Sequence, residues 1–276
     1  RFIDVDGAQV NNNDMSGFRK VPIGGADIDN FTVNGNYLHD AKPWNYGKNG
    51  DHGDFIHFWT RPNQPDANQN LTIKNNFMDQ GKGYGIMGIF INDQTGKAFQ
   101  NVFIEDNVIR TSHTQGMRLE GIHGGTISNN TVIGTAQTPT VKAQIIFDHG
   151  NLNLLVDKNI YMGTGGNQVP KFAASNIVFG TNLTVQMQSA LKPNYAGNIF
   201  VDGMNSAPSL GSFLVKAGTA GAGLGAIING TTTGTTGPAG PSGGTVVPPS
   251  GGTTGDTAGT TTAPVKTVGA VTTNAV

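Results

Sequence analysis

Asparagine recurs at one fixed position in a repeating unit of this 276-residue chain. In each unit it lies six residues after the first residue, and the six asparagines are Asn36, Asn76, Asn107, Asn130, Asn159 and Asn182. Three residues into each unit comes a core-type side chain: Val33, Ile73, Ile104, Ile127, Val156 and Phe179. Alternating apolar and polar residues that end in a turn residue are the pattern of a short β-strand followed by a bend.

The spacing of the units indicates how the strands are arranged. The units begin at Asn30, Asn70, Asn101, Gly124, Asn153 and Asn176, and these starts are 40, 31, 23, 29 and 23 residues apart. A constant strand core with loops of varying length is typical of a solenoid, in which each coil contacts only its neighbours. An asparagine amide both donates and accepts hydrogen bonds, and it tolerates left-handed backbone angles. The repeat therefore predicts an all-β solenoid with an asparagine ladder at one bend.

Two weaker units are expected at the ends of the series. The first has Val10 among its apolar residues and places Ala8 at the asparagine position. The last begins at Asn198 and places Met204 there. With these two units, the solenoid is predicted to span residues 1–225.

The composition changes near the C-terminus. Residues 226–276 are dominated by Thr, Gly, Pro and Ser, which is typical of a flexible linker or a surface stalk. We therefore predict a low-complexity Thr/Gly-rich tail. An alternative is that residues 267–276 pair along a coil or with another subunit.

The strand-turn units resemble those of the right-handed parallel β-helix superfamily. This pectate-lyase-like group includes polysaccharide lyases, pectin hydrolases, alginate epimerases and viral tailspikes. The resemblance lies in residues 101–109 (NVFIEDNVI) and 125–133 (GTISNNTVI), and in a closing segment at 208–223 (PSLGSFLVKAGTAGAG). It implies a right-handed parallel β-helix, and it leaves the activity open because this architecture hosts many activities and also none.

Composition narrows the class of protein further. The chain has no cysteine and only 13% charged residues, and its 41 glycines suit an all-β protein that is secreted or displayed on a cell or virion surface. A net charge of -1 argues against nucleic-acid binding through phosphate contacts, and no apolar run reaches membrane-spanning length. Because a β-helix needs a cover over its first coil, we expect an upstream capping segment or a partner before Phe2.

The longest insertion, between Asn36 and Asn70, is the candidate substrate-binding region. Both tryptophans of the chain lie in it. Aromatic faces beside ionisable groups suit a sugar-binding cleft, because the ring stacks on the sugar face while polar groups orient the hydroxyls and carboxylates. The predicted substrate-binding residues are Trp44, Tyr46, His52, Asp54, Trp59 and, from a later coil, Asp148. The alternative is that Trp44 and Tyr46 only anchor a long loop.

Strand alternation predicts which side chains face outward. In residues 52–59, Ile56 and Phe58 should point inward and His57 and Trp59 outward. In residues 116–123, Met117 and Leu119 should be internal. Since neighbouring coils are about 4.8 Å apart, the outward residues of successive coils should form one ionisable surface. Its expected members, in coil order, are His57, then Tyr84 or Asn92, then Arg118 and Glu120, then Asp148.

This surface suits proton abstraction and β-elimination from an acidic polysaccharide, and its predicted catalytic residues are His57, Tyr84, Arg118 and Glu120. Arg118, or a divalent cation such as calcium, would neutralise the sugar carboxylate. His57 or Tyr84 would transfer the proton. No calcium-ligand motif occurs and no metal ligand is predicted. Hydrolysis would instead need two carboxylates, such as Glu120 with Asp148.

Two classes of function therefore remain open. The first is an enzyme of the polysaccharide lyase or epimerase type that acts on an acidic polysaccharide. The second is a non-catalytic carbohydrate-binding or structural module of a surface fibre, an adhesin or a phage tailspike, in which the chain forms a homotrimer. The sequence does not decide between them.

Overall fold

The computed structural model describes residues 1–45, 50–51 and 53–228. The predicted tail beyond residue 228 lies outside the described residues. Within them, the strands stack in parallel into three faces, so that the predicted all-β parallel solenoid is confirmed.

The strand β4 (Ile23–Asn34) is long enough to contribute to two of these faces. Face one contains the first half of β4 and then β6 (Asp54–Trp59), β9 (Met87–Asn92), β12 (Gln115–Leu119), β15 (Gln144–Phe147) and β18 (Thr164–Gly165). Face two contains β1 (Phe2–Asp6), β2 (Gln9–Asn11), the second half of β4, β7 (Asn68–Lys74), β10 (Phe99–Glu105), β13 (Ile122–Ser128), β16 (Leu152–Asp157) and β19 (Ile177–Phe179). Face three contains β3 (Asp14–Ser16), β5 (Tyr37–His39), β8 (Phe77–Asp79), β11 (Val108–Arg110), β14 (Thr131–Ile133), β17 (Ile160–Tyr161) and β20 (Leu183–Thr184).

The bends between these faces explain why asparagine and glycine recur in each unit. At the start of each unit the backbone is left-handed, with φ between 50° and 82°, at Gly7, Asn30, Asn70, Asn101, Gly124, Asn153 and Asn176. The residue before the ladder asparagine is also left-handed in the first six coils of the ladder, at Asn12, Gly35, Asn75, Asp106, Asn129 and Lys158, but not in the last coil. Left-handed angles cost a residue with a Cβ about 1–2 kcal/mol, and Asn, Asp and Gly tolerate them best. Two corners of these coils are thus fixed by local residue choice.

The asparagine ladder connects the coils at the second of these corners. The Nδ2 atom of each member donates to the Oδ1 atom of the next over 2.8 to 3.0 Å, and the ladder runs through Asn13, Asn36, Asn76, Asn107, Asn130, Asn159 and Asn182. The backbone N–H of each member donates to the same oxygen, as at Asn76, whose N–H lies 3.1 Å from Oδ1 of Asn107. The predicted ladder is therefore confirmed.

Both weaker end units were predicted wrongly. Val10 pairs with Val33, which puts Asn13 beside Asn36 and makes Asn13, not Ala8, the first ladder member. The inward side chain of Val10 sets this register. At the other end, the expected strand at Asn198 is part of the short helix α1 (Ala196–Ile199), and Met204 follows it outside any strand.

Apolar residues fill the interior between the three faces. The alternation predicted for face one is confirmed, because Ile56, Phe58, Met117 and Leu119 are fully buried. At the C-terminal end, Phe172 packs edge-on against Phe147 at 5.3 Å, just after the 3-10 helix Val169–Lys171. The core is thus continuous along the solenoid and is covered at this end.

A second apolar cluster lies on the outer side of face three. Phe77, Val108 and Ile160 project outward there and are covered by the segment 185–228, which includes α1 and the 3-10 helix Leu210–Phe213. The ring of Phe213 contacts that of Phe77 at 6.0 Å. The chain therefore stops winding after β20 and folds back over face three, because that face is apolar on both sides.

Among the described residues, no helix is long and apolar enough to span a membrane.

We expect Asn107→Ala to destabilise the protein by at least about 2 kcal/mol, since each buried polar group left without a partner costs about 1–3 kcal/mol. Asn107 is fully buried, and its Nδ2 atom donates to the carbonyls of Ile73 and Glu105, each over 2.9 Å. Denaturant unfolding measures the change. The matched control is Asn101→Gly, which removes one exposed side-chain bond and keeps a residue suited to φ of 57°. A loss equal in the two variants would contradict the structural role of the buried ladder.

Candidate functional site

The outer side of face one carries two columns of side chains. In the first column, His57 pairs with Phe90, and Phe90 pairs with Arg118. In the second, Trp59 pairs with Asn92. His57 and Arg118 are thus two coils apart, about 10 Å by strand spacing, with an aromatic ring between them.

A cleft of about 670 Å³ opens over the first coils of this face. Its floor consists of His57, Trp59 and Phe90 with Asn92 at the side. Its walls come from the turn before β4 and from the segment that precedes β6. The lining residues are Arg1, Lys20, Val21, Gly24, Gly50, Asp51, Asp54, His57, Trp59, Phe90, Asn92 and Gln94.

The floor of the cleft is aromatic because alternate residues of β6 and β9 point outward. The imidazole of His57 stacks on the ring of Phe90 with centroids 4.6 Å apart and an interplanar angle of 22°. The ring of Trp59 lies 5.2 Å from that of His57. The guanidinium of Arg1 lies 4.8 Å from the centroid of the Trp59 ring. Phe90 is covered by its neighbours, so Trp59 and His57 form the accessible aromatic surface.

Beneath this surface lies a buried carboxylate. The side chain of Asp54 is fully buried, and its Oδ2 atom lies 3.2 Å from Nδ1 of His57. A carboxylate at this distance fixes the orientation of the imidazole ring. The Nε2 atom of His57 is also buried. The pair is therefore preorganised in the floor of the cleft.

The rim of the cleft is cationic. Arg19 donates two hydrogen bonds to the carboxylate of Asp51, and Lys20 lies 3.6 Å from the same group. The bond from Arg19 holds the pKa of Asp51 below its usual value, in spite of opposing burial. The Arg19 guanidinium also covers the indole of Trp44 at 3.7 Å. The buried Asp51 thus positions two exposed cations and a tryptophan at one edge.

Next to the cleft, Arg118 is engaged by two carboxylates. Its Nη2 atom lies 2.7 Å from Oε1 of Glu120, and its Nε atom donates to Oδ2 of Asp148 over 2.9 Å. The guanidinium also lies 5.2 Å from the centroid of the Phe90 ring. Burial raises the pKa of Glu120, and the charge of Arg118 opposes this shift. The charge of Arg118 is therefore already balanced within the protein.

The structure brings some predicted site residues together and separates others. His57, Asp54 and Trp59 line the cleft, whereas Trp44 stands at its rim, and Arg118, Glu120 and Asp148 form an adjoining cluster. Tyr84 lies in the loop before β9, three residues from its first residue, so Phe90 and Asn92 occupy the coil expected for it. Tyr46 and His52 lie outside the described residues.

Sequence reasoning missed several contributors, among them Phe90, Arg1 and Lys20. Phe90 could have been found from the alternation of residues 87–92, because Ile89 and Ile91 are the inward residues of that strand. No local pattern indicates Arg1 or Lys20, since they reach the cleft from other coils. Across the described ranges 1–45, 50–51 and 53–228, no group of three or more acidic or histidine side chains could hold a metal ion.

Comparisons with protein-family models, with curated proteins and with solved structures gave no match to this chain.

We expect Glu120→Gln to gain stability relative to the wild type as the pH rises. Burial raises the pKa of Glu120 in the folded protein, so the folded state favours the protonated carboxyl. The stability from this group is therefore complete below the pKa of the unfolded chain and is lost as the pH rises through the higher folded pKa. Urea unfolding of both proteins from about pH 3 to about pH 7 measures the difference. A difference that stays constant over this range would show that burial of the charge is not the dominant effect.

Proposed function

We propose that the protein binds an acidic polysaccharide in the cleft on face one. The observation that carries the proposal is the distribution of charge around the aromatic surface of Trp59 and His57. The side chain of Lys20 is 64% exposed, whereas those of Asp51 and Asp54 are 3% and 0% exposed. A ligand that enters the cleft therefore meets an aromatic surface and cations before it meets a carboxylate.

Each part of the cleft has a counterpart in an acidic sugar chain. The apolar face of a sugar ring stacks on an indole, as at Trp59. The amides of Asn92 and Gln94 can both donate to and accept from hydroxyls. Arg1 and Lys20 would attract the carboxylates of the polymer over a range set by ionic strength. Because the floor is built on hydrogen-bonded parallel strands, little ordering is needed on binding.

Such polymers occur at cell and virion surfaces, so the proposal places the protein among secreted or surface-displayed proteins. A non-catalytic binding module needs no chemical group beyond those that line the cleft, whereas an enzyme would need catalytic residues at the same place. Tyr84 is absent from the strand that forms the floor, and Arg118 is balanced by Glu120 and Asp148.

A second candidate function is β-elimination, and the contact between Asp54 and His57 favours it. A buried carboxylate that orients an imidazole is what a general base requires. His57 would take the C5 proton of a uronate, the freed electron pair would form the C4–C5 double bond, and the C4–O bond would break as its oxygen takes a proton from water. Nε2 of His57 would have to become accessible when the substrate binds, because it is buried in the structure.

The binding proposal predicts that Trp59→Ala weakens the affinity for an acidic polysaccharide about tenfold, equivalent to about 1.4 kcal/mol. The loss follows from removing the stacking surface. Titration calorimetry with alginate, pectate, glucuronan and a bacterial capsular polymer, each at low and high salt, measures it, with neutral dextran as the reference polymer. The control is Phe103→Ala, which removes an exposed aromatic ring from face two. Unchanged binding in Trp59→Ala, or equal binding of dextran, would refute the proposal.

Elimination has its own test. If His57 is the base, digests with the wild type should gain the ultraviolet absorbance of an unsaturated uronide, and His57→Ala should abolish it while binding persists. If His57→Ala still produces the unsaturated uronide, a residue other than His57 is the base. No absorbance with any of the four polymers, together with measurable binding, would leave the binding module as the function.

A further inference from the structure

The segment that forms the cationic wall of the cleft is held from the far side of the solenoid. Residues 17–22 connect β3 of face three to β4 of face one, and Lys20 and Val21 within them line the cleft. The N–H of Gly17 donates to the carbonyl of His39 over 3.3 Å. Phe18 packs edge-on against Phe55 at 5.8 Å. The position of β3 therefore influences the position of the wall.

His39 lies on β5, next to β3, between two carboxylates. Its Nδ1 atom lies 2.7 Å from Oδ2 of Asp40, and its Nε2 atom lies 2.9 Å from Oδ1 of Asp14, which belongs to the first coil. A neutral imidazole carries one N–H and one lone pair, whereas an imidazolium carries two N–H donors. Since a carboxylate only accepts, both contacts exist together only when the ring is protonated. Deprotonation turns one of them into a repulsion between a lone pair and an anion.

We propose that His39 is a pH-sensitive latch. In its protonated form it holds β3 against β5 and thereby fixes residues 17–22, which form the cationic wall of the cleft. The contact that breaks first is the one to Asp14. Asp14 is 60% exposed, whereas Asp40 is 30% exposed and also accepts from the N–H of Lys82. The latch itself is independent of what the cleft binds, and only its consequence for a ligand rests on the proposed function.

The charges around His39 support this assignment. Burial of Asp40 opposes ionisation, but the bonds from His39 and from the Lys82 N–H lower its pKa, so it is anionic where imidazole titrates. On the next coil, Asp79 is balanced by Arg110 at 2.6 Å. The ring of Tyr37 stacks on His39 at 4.1 Å. Burial and the nearby Asp79, Asp40 and Asp14 raise the pKa of Tyr37 to about 12, so the phenol stays neutral. His39 is therefore the group in this cluster whose two contacts depend on a second ring proton.

Hydrogen exchange tests the latch without any ligand. After correction for intrinsic exchange rates, the amides of residues 14–20 should open about tenfold more often at about pH 8 than at about pH 5.5, as expected for the loss of a charge-assisted bond. The amides of β7 and β10 serve as internal references. In His39→Gln, the opening should be the same at both pH values. His123→Gln, which alters a histidine on face two, is the matched control and should respond to pH like the wild type.

Asp14→Asn provides a second variant, because it removes only the exposed contact between coils and leaves Asp40 in place. It should show the higher opening already at the lower pH. Equal protection of residues 14–20 at both pH values in the wild type would overturn the proposal, as would a pH response that persists in His39→Gln. If the latch is found but no polysaccharide binds at either pH, the proposed function fails and the latch stands.

Discussion

The hydrogen bonds between stacked asparagine amides set the register on which the rest of the structure depends. Each ladder member satisfies the backbone at its own corner and accepts from the corner of the preceding coil, as Asn107 does between Asn76 and Asn130. A slip of one residue would turn every inward side chain of a strand outward. Because the amide has one donor and one acceptor side, it tolerates no such slip without leaving buried groups unsatisfied. Loops of very different length can therefore be inserted between coils that remain aligned.

This register explains why the candidate site is a surface and not a set of scattered side chains. With the coils aligned, β6 and β9 place His57 on Phe90 and Trp59 beside Asn92. The same alignment puts Arg118 between two carboxylates, where its charge is balanced. The cleft and the adjoining ion cluster share the ring of Phe90, yet they differ in what they offer a ligand. The cleft exposes cations over an aromatic floor, whereas the cluster is neutralised from within.

One of the segments that connect face three to face one, residues 17–22, joins the surroundings of His39 to the cleft. The turn after β3 carries the cationic wall of the cleft, and His39 on face three contacts β3 through Asp14. Face three is further covered by the segment 185–228, which leaves the coils after β20 and packs on Phe77 and its neighbours. A solenoid that is apolar on both sides of one face needs such a cover, because exposed apolar surface of that size would otherwise meet water.

The sequence by itself determined the six central units of the coil, their asparagine corner and the inward side chains Ile56, Phe58, Met117 and Leu119. These features are local: a period of two residues decides inside from outside for Ile56 and His57, and left-handed corners select Asn and Gly within a single unit. Only the tertiary structure decided which coils meet at the cleft. Tyr84 or Asn92 was expected on the coil after His57. Asn92 lies on that strand, whereas Tyr84 lies in the loop before it and Phe90 pairs with His57, because the length of a loop does not indicate the register of the strand that follows. Likewise, Asn13 joins the ladder and Asn198 lies within a short helix, since pairing with a neighbouring coil, and not the residues of the unit, decides whether a strand continues.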